Sequence, residues 1–157
     1  MKYKIISVIC IIALSAAVSA QTGKAKPEDQ IKFRQSGMMF MRWNMAKIKN
    51  QVVKNPQAYN KSQVVASAEV IAAIANSGLD ALFSPESATG EGWKQTRVKA
   101  EYFDRPEQVR ERTRDFIDAA DRLVSVSKSG DIDMIRGQFN EVFESCKSCH
   151  KSFRAKN

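Results

Sequence analysis

The amino-acid sequence predicts an all-α protein folded as an antiparallel, up-down-up-down four-helix bundle. Four segments carry apolar residues at spacings of three, four and seven, which is the pattern of helices with one buried face. Proline or glycine stands in each of the three breaks between these segments. No stretch shows the apolar–polar alternation that is typical of a half-buried strand. Together these observations indicate helices packed on helices.

The first helix is predicted to run from about Pro27 to Val53. Proline suits a first helical turn, where its missing amide hydrogen has no partner to lose, and two acidic residues follow at the positive end of the helix dipole. Asn55-Pro56 ends the helix, because the residue before a proline avoids helical angles. The residues predicted to face the core are Ile31, Met38, Met45 and Val52, interleaved with Arg34, Met41 and Ile48.

The second helix is predicted from about Ser62 to Phe83 and is closed by Ser84-Pro85. An irregular segment follows and extends to Asp104. A loop of this length is uncommon in a compact domain unless it has a function. Its aromatic residues, Trp93, Tyr102 and Phe103, suit the covering of an apolar object.

The third helix is predicted to start near Asp104, with Glu107 completing a capping box, and to stop at Ser129-Gly130. Asp131 is predicted to cap the fourth helix, which extends to about Phe153. This helix has the most regular apolar face of the four. Its members are Ile132, Phe139, Cys146 and Phe153, interleaved with Ile135, Val142 and Cys149.

Residues 1–20 have the pattern of a signal peptide. Lys2 and Lys4 precede an apolar run, and small residues lead up to Ala20, as a cleavage site requires. The run is shorter than the roughly 20 apolar residues that span a bilayer, so we expect no membrane anchor after cleavage. Residues 21–157 are then one exported domain of ordinary size.

Cleavage lowers the formal charge of the chain from +8 to +6. This excess favours acidic partners through long-range steering, which salt weakens. No cluster of basic and aromatic residues points to nucleic acid, and we expect none as a partner. Most of these charges are expected to lie on a solvated surface.

The sequence Cys146-Lys147-Ser148-Cys149-His150 is the C-x-x-C-H signature of covalent haem attachment. Residues three and four apart share a helix face, so two thiols can bond the haem vinyl groups while the imidazole reaches the iron. Other uses of the two cysteines fit less well. A redox dithiol follows a strand, a disulfide at this spacing within a helix is strained, and zinc needs about four ligands.

His150 is the only histidine of the chain, so the opposite face of the iron is either empty or held by a weaker ligand such as methionine. Met38 is the best-placed candidate, as a sixth ligand or as a packing residue. With no distal histidine to act as acid or base, we expect no enzyme activity.

Two arginines are candidate cofactor contacts. Arg34 stands on an apolar helix face, where an unpaired guanidinium is costly, and it would pair well with a haem propionate. The alternative is an Arg34 that extends to solvent. Arg154, four residues after His150, either covers the haem edge or is an exposed charge near the C-terminus.

The sequence resembles the class II cytochromes c, and the cytochrome c′ family in particular, over nearly the whole exported chain. The resemblance rests on Lys26-Pro27-Glu28-Asp29 and Phe33-Arg34-Gln35-Ser36 near the start. At the end it rests on the C-x-x-C-H motif with Phe153-Arg154. A haem motif almost at the C-terminus of a helical bundle is specific to this class.

The resemblance implies a periplasmic protein with one haem c, usually a homodimer joined through its first two helices. Phe33, Gly37 and Phe40 are the residues expected at that interface. It also implies that Arg34 and Gln35 contact the propionate side and that Met38 lies over the iron. The expected function is a high-spin, five-coordinate haem for electron transfer, for binding nitric oxide or carbon monoxide, or for both. The alternative is a low-spin electron carrier in which His150 and Met38 ligate the iron. The expected redox partner is an acidic protein.

Overall fold

The computed structural model describes residues 25–156, so the predicted signal peptide at residues 1–20 lies outside the described residues. The α-helices, in chain order, are α1 (Pro27–Lys49), α2 (Lys61–Ala75), α3 (Glu101–Asp104), α4 (Pro106–Ser129) and α5 (Ile132–Phe153). The four long helices pack each against the next, and α5 returns to α1. The predicted all-α four-helix bundle is therefore confirmed. Within residues 25–156, none of the helices has the length and apolar character that crossing a bilayer requires.

The core of the bundle is built from aliphatic side chains of all four long helices. Burying such side chains is the main favourable term in folding. The fully buried members include Ile48, Val64, Ala68, Ile71, Ala120, Leu123, Ile135 and Val142. Ile48, Ile135 and Val142 are among the residues predicted to face the core from the first and fourth helices, so these predicted core positions are confirmed.

The C-terminal end of α1 widens into a π turn, Asn50–Lys54, in which the backbone N–H of Asn55 donates to the carbonyl of Asn50 over 2.7 Å. The predicted end at Val53 lies inside this turn. Such a turn leaves carbonyls without their usual helical partners. Arg136 of α5 donates through Nε to the carbonyl of Val52 over 2.7 Å, which joins the end of α1 to the start of α5.

The prediction that the second helix reaches Phe83 is wrong, because α2 ends at Ala75. Gly78 adopts a left-handed conformation (φ 77°), which glycine tolerates and which stops the helix. Leu79–Leu82 then forms a separate 3₁₀ turn. The apolar spacing continues past the stop because Leu79 still packs beside α1, near Gly37.

The predicted capping box of Asp104 and Glu107 is also wrong. Asp104 belongs to the one-turn helix α3, and Arg105 precedes α4 without a side-chain cap. Glu107 forms an ion pair with Arg110 instead. The predicted cap of the last helix is confirmed, because the Asp131 carboxylate accepts from the N–H groups of Asp133 and Met134, both over 3.0 Å.

The segment between α2 and α3 contacts both α1 and the residues that follow α5. At one point it lies so close to α1 that a Cβ added to Gly92 would be 2.7 Å from the backbone nitrogen of Lys32. Further along, it pairs with the residues that follow α5. The N–H of Lys99 donates to the carbonyl of Phe153 (3.0 Å), and the N–H of Ala155 donates to the carbonyl of Arg97 (2.9 Å).

Candidate functional site

The Cys-x-x-Cys-His motif occupies the last two turns of α5. Cys146 and Cys149 are both free thiols and both half-buried, and His150 is half-buried beside them. Cys146 packs against the core of the bundle. The predicted helical placement of the motif is confirmed, and its three side chains share one face of α5.

Burial sets the protonation of all three motif side chains. It raises the pKa of the Cys146 thiol, and it raises the pKa of the Cys149 thiol although the nearby Arg112 opposes that shift. Burial lowers the pKa of His150, and the positive charges of Arg154 and Arg97 lower it further. The site therefore holds two neutral thiols and a neutral imidazole, and the neutral imidazole is the form that binds metals.

Tyr102 lies between the motif and α1. Its ring stacks on Phe83 with centroids 4.5 Å apart and meets Phe153 edge-on at 5.7 Å. Burial raises the pKa of Tyr102 well above its usual range, with smaller contributions from Cys149 and Asp80 that Arg34 opposes. Tyr102 is therefore half-buried beside the motif, whereas the Trp93 side chain is 62% exposed. The covering role that the sequence predicts for these aromatic residues stays a prediction.

Arg34 is buried on α1, with 4% of its surface exposed, as its position on the apolar face predicts. Its guanidinium donates four hydrogen bonds, to the carbonyl of Leu82 (2.8 Å), the hydroxyl and carbonyl of Ser87 (2.7 and 2.6 Å) and the hydroxyl of Thr96 (2.7 Å). It also lies over the ring of Phe83, 4.7 Å from the centroid. These partners are 48 to 62 residues away in the sequence, and no local pattern identifies them. The predicted propionate contact stays a prediction.

Gln35, the neighbour of Arg34, holds the same loop. Its Oε1 accepts from the backbone N–H groups of Trp93 (2.8 Å) and Lys94 (3.2 Å), and its Nε2 donates to the carbonyl of Lys94 (2.8 Å). The Trp93 indole donates to the hydroxyl of Ser36 over 2.9 Å. We call the set formed by Arg34, Gln35 and Ser36 with residues 82–96 the α1–loop contact.

Met38 differs from its predicted place on the core face of α1. Its side chain is 39% exposed, whereas Arg34 and Met41, one turn to either side, are buried. With 3.6 residues per turn, Arg34 and Met41 lie about 40° and 60° to the same side of Met38 around the helix axis, so the centre of the buried face lies to one side of Met38. Met38 lies at the margin of the buried face, and its role towards the iron stays a prediction.

Arg154 is exposed and follows the last residue of α5. Its backbone N–H donates to the carbonyl of His150 over 3.1 Å. Arg154 also forms an isolated antiparallel β-bridge with Val98. The structure therefore brings Arg154 and Arg97 to His150. Arg154 is predictable as a site residue because it follows His150 by four residues, whereas nothing in the local sequence around Arg97 resembles a site.

The donor set fits a covalently attached haem. Two free thiols one turn apart suit two thioether bonds, and the neutral imidazole adjoins them on the same face. Arg112 Nε on α4 is buried without a hydrogen-bond partner among the described residues, so it offers a donor near Cys149 for a cofactor carboxylate. In residues 25–156, no group of three or more His, Cys, Asp and Glu side chains is arranged to hold a metal ion by itself.

The chain is similar to known proteins in both sequence and structure. A family model described as cytochrome C′ matches residues 29–154. A cytochrome c′ from Allochromatium vinosum is 44% identical over 93% of this chain and 93% of its own length. A solved cytochrome c′ structure with an unusual ligand-controlled dimer dissociation is 44% identical. It superposes with a TM-score of 0.80 over 85% of this chain and 100% of that chain. A nitric oxide complex of a variant cytochrome c prime from Alcaligenes xylosoxidans is 29% identical, with a TM-score of 0.73 over 85% and 100%.

Proposed function

Because the chain belongs to the cytochrome c′ family, we propose that it is an exported, periplasmic monohaem cytochrome for electron transfer, for binding nitric oxide or carbon monoxide, or for both. Its cofactor is one covalently attached haem c. The observation that carries the proposal is the grouping of two free, half-buried thiols with a neutral imidazole on one face of α5. Since His150 is the only histidine, no second imidazole can act as an acid or base, and binding rather than catalysis is the proposed activity.

Each residue of the site has a proposed role. Cys146 and Cys149 form the thioether bonds, and burial keeps His150 neutral for ligation of the iron. Arg34 and Gln35 would contact the propionate side, and Arg154 would cover the haem edge. When bound, the haem supplies reversible one-electron chemistry and a site for a diatomic ligand.

The proposed resting state has five ligands on the iron, with Met38 covering the open face without bonding to it. Two observations support this choice. Met38 lies at the margin of the buried face of α1, where an apolar side chain of many shapes can fit. A solved relative is a nitric oxide complex, which is ligand binding of the kind that an open iron face permits. The alternative is a low-spin electron carrier with Met38 as the sixth ligand.

We also propose a homodimer. The exposed side of α1 carries four large apolar side chains, Phe33, Met39, Phe40 and Trp43, which are 56, 61, 48 and 55% exposed. Phe40 and Trp43 stack with ring centroids 5.4 Å apart. A contiguous exposed apolar patch of this kind marks an interaction site. Gly37, which is predicted at the same interface, faces α2 and the turn after it instead, because a Cβ there would lie 3.5 Å from the side chains of Ile74 and Leu79.

Denaturing electrophoresis with haem staining tests the attachment. The mature protein is expected to keep its haem, and Cys146→Ala or Cys149→Ala is expected to abolish stable attachment. Ser148→Ala, within the same motif but without a thiol, is the matched control and should stain like the parent. Haem that extracts from the parent into acidic organic solvent contradicts the proposal.

Optical spectra of the ferric and ferrous holoprotein test the open face. The parent is expected to be high-spin, and Met38→Ala is expected to stay high-spin while binding carbon monoxide more tightly, because the covering side chain is gone. Met39→Ala is the control, since Met39 is 61% exposed on the next position of α1. A low-spin parent that becomes high-spin in Met38→Ala establishes Met38 as the sixth ligand and the electron-carrier alternative.

A further inference from the structure

The positive charge of the chain is concentrated in two segments. After residue 20 the formal charge is +6. Residues 92–100 and 145–156 together carry seven Lys or Arg and no Asp or Glu, so the rest of that chain has a net charge of −1. On a protein surface that binds no charged partner, positive and negative side chains can be interspersed, and no such separation of charge is required.

The fold brings these two segments together. The N–H of Lys99 donates to the carbonyl of Phe153, the N–H of Ala155 donates to the carbonyl of Arg97, and Val98 pairs with Arg154 between these two bonds. We call the cations of this pairing, with the adjacent Lys151, the basic ribbon. Its members are Arg97, Lys99, Lys151, Arg154 and Lys156; Lys151, Arg154 and Lys156 are exposed.

The basic ribbon directly adjoins the haem-binding motif. The backbone N–H of Arg154 bonds the carbonyl of His150 over 3.1 Å, and the Lys99 ammonium donates to the carbonyl of Ser152 over 3.3 Å. Arg97 and Arg154 lie close enough to His150 for their charges to act on its imidazole. A molecule bound on the ribbon therefore lies beside the proposed iron ligand rather than at a remote surface.

We propose that the basic ribbon is the docking surface for an acidic one-electron carrier protein. This inference rests on the proposed function, because a redox partner needs to come close to the haem. Complementary charge accelerates encounter and fixes orientation more than it adds affinity. A transient complex of this kind suits a protein that exchanges one electron and then separates.

A protein partner fits the ribbon better than an anionic membrane does. A segment that binds at a membrane surface combines cations with exposed apolar side chains that enter the lipid. Around the paired residues, Phe153 is buried and Val98 and Ala155 are half-buried, so they offer no large apolar side chain to insert. The exposed Trp93, earlier in the same segment, donates its indole N–H to Ser36 of α1 and so lies at the α1–loop contact rather than in the ribbon. The ribbon presents charge without an apolar anchor, as the rim of a transient protein interface does.

The test uses the mature holoprotein and an acidic plant-type [2Fe–2S] ferredoxin. Lys151→Glu/Lys156→Glu reverses two exposed ribbon charges without touching the motif. Lys49→Glu/Lys54→Glu makes the same charge change near the end of α1, which Arg136 joins to α5 at a point about 22 Å along the helix from Lys151. Binding is measured by titration calorimetry with oxidised ferredoxin. Electron transfer is measured by stopped flow, in which the reduced cluster loses one electron and ferric iron becomes ferrous.

The ribbon variant is expected to bind ferredoxin about tenfold more weakly and to accept electrons about tenfold more slowly than the parent at low salt. The distal control should change each value much less, and added salt should remove the difference. Equal losses in both variants show a net-charge effect and overturn the proposal. Loss of sedimentation with phosphatidylglycerol vesicles, without loss of ferredoxin binding, assigns the ribbon to membranes and overturns it as well. Because calorimetry needs no electron transfer, failure of the haem assignment is distinguishable from failure of the docking surface.

Discussion

At the level of single residues, Arg34 shows how a buried charge can be satisfied without a carboxylate. Its four acceptors are the hydroxyl and the carbonyl of Ser87, the hydroxyl of Thr96 and the carbonyl of Leu82. Hydrogen bonds from a charged donor are stronger than neutral ones. The same arginine that suits a propionate therefore also fixes the loop that precedes α3.

We expect Arg34→Ala to lower the free energy of unfolding of the holoprotein by about 1–3 kcal/mol, because it leaves buried acceptors without donors. Arg34→Lys should recover only part of this loss, since an ammonium cannot reproduce the planar fork. Urea unfolding measures both. Arg42→Ala, which removes an exposed arginine of the same helix, is the control and should stay near the parent. Parent-like stability of both Arg34 variants contradicts the anchoring role.

The two tyrosines downstream of residue 20, Tyr59 and Tyr102, both have a pKa raised by burial. A folded-state pKa above the unfolded value of about 10 means that the folded protein holds the phenolic proton longer. The stabilisation is complete below pH of about 10 and is lost as the pH rises towards the folded value. Ultraviolet difference absorbance of tyrosinate is expected to show less ionisation near pH 10 in the folded protein than in the unfolded protein. Tyr102→Phe and Tyr59→Phe assign the two groups, and independent titration of Tyr102 near pH 10 in the folded protein contradicts its burial.

At the level of elements, the α1–loop contact depends on Gly92, because a residue with a Cβ does not fit at this position. A Cβ at Gly92 would lie 2.7 Å from the backbone nitrogen of Lys32 and 2.8 Å from Cγ2 of Ile31. The backbone on one side of this approach belongs to a regular helix and cannot easily move. Gly137 provides the opposite case, because an added Cβ there, within α5, meets nothing within 4 Å.

The two glycines are therefore expected to respond to alanine with opposite signs. Gly92→Ala should destabilise the protein by about 1–3 kcal/mol through overpacking against α1. Gly137→Ala should stabilise it by about 0.5–1 kcal/mol, because alanine loses less backbone entropy in a helix than glycine does. Chemical denaturation of the two holoproteins against the parent is the measurement. Stabilisation by Gly92→Ala would contradict the close approach of loop and helix.

The elements that the sequence predicts well are those encoded by local spacing. Asp131 caps α5, the helix continues through Phe139 and Val142, and the haem motif follows on the same face because its spacing is three and four. The stop of α2 at Gly78 is overlooked because the apolar spacing of a helix continues to Leu82. Side chains can keep packing on a neighbouring helix after their own backbone has turned.

The contacts that the sequence does not predict are those between distant segments. Arg34 is predictable as a buried residue, yet its partner Ser87 follows it by 53 residues in an irregular segment. Arg97 reaches His150 only because the same segment pairs with the residues after α5. No periodicity encodes such pairings, since they depend on how the loop closes over the assembled bundle.

At the level of the whole molecule, two features of the surface oppose each other. The exposed aromatic patch on α1 favours self-association, and the formal charge of +6 after residue 20 makes two copies repel. Repulsion between exposed charges weakens as salt shortens the Debye length, whereas burial of apolar area does not depend on charge screening. The balance between these two forces gives association a characteristic salt dependence.

We expect the mature holoprotein to form a dimer whose affinity increases with salt concentration. Phe40→Ser/Trp43→Ser removes the stacked aromatic pair of the patch without changing the charge, and each aromatic anchor of an interface contributes about 2 kcal/mol. The variant should therefore be monomeric at concentrations where the parent is dimeric, at every salt concentration. Met134→Ser/Phe143→Ser removes two equally exposed apolar side chains of α5 and should leave the dimer intact. Sedimentation equilibrium distinguishes these outcomes. A parent that stays monomeric at high protein concentration and moderate salt contradicts the dimer, and equal weakening by both double variants shows that α1 is not its specific contact.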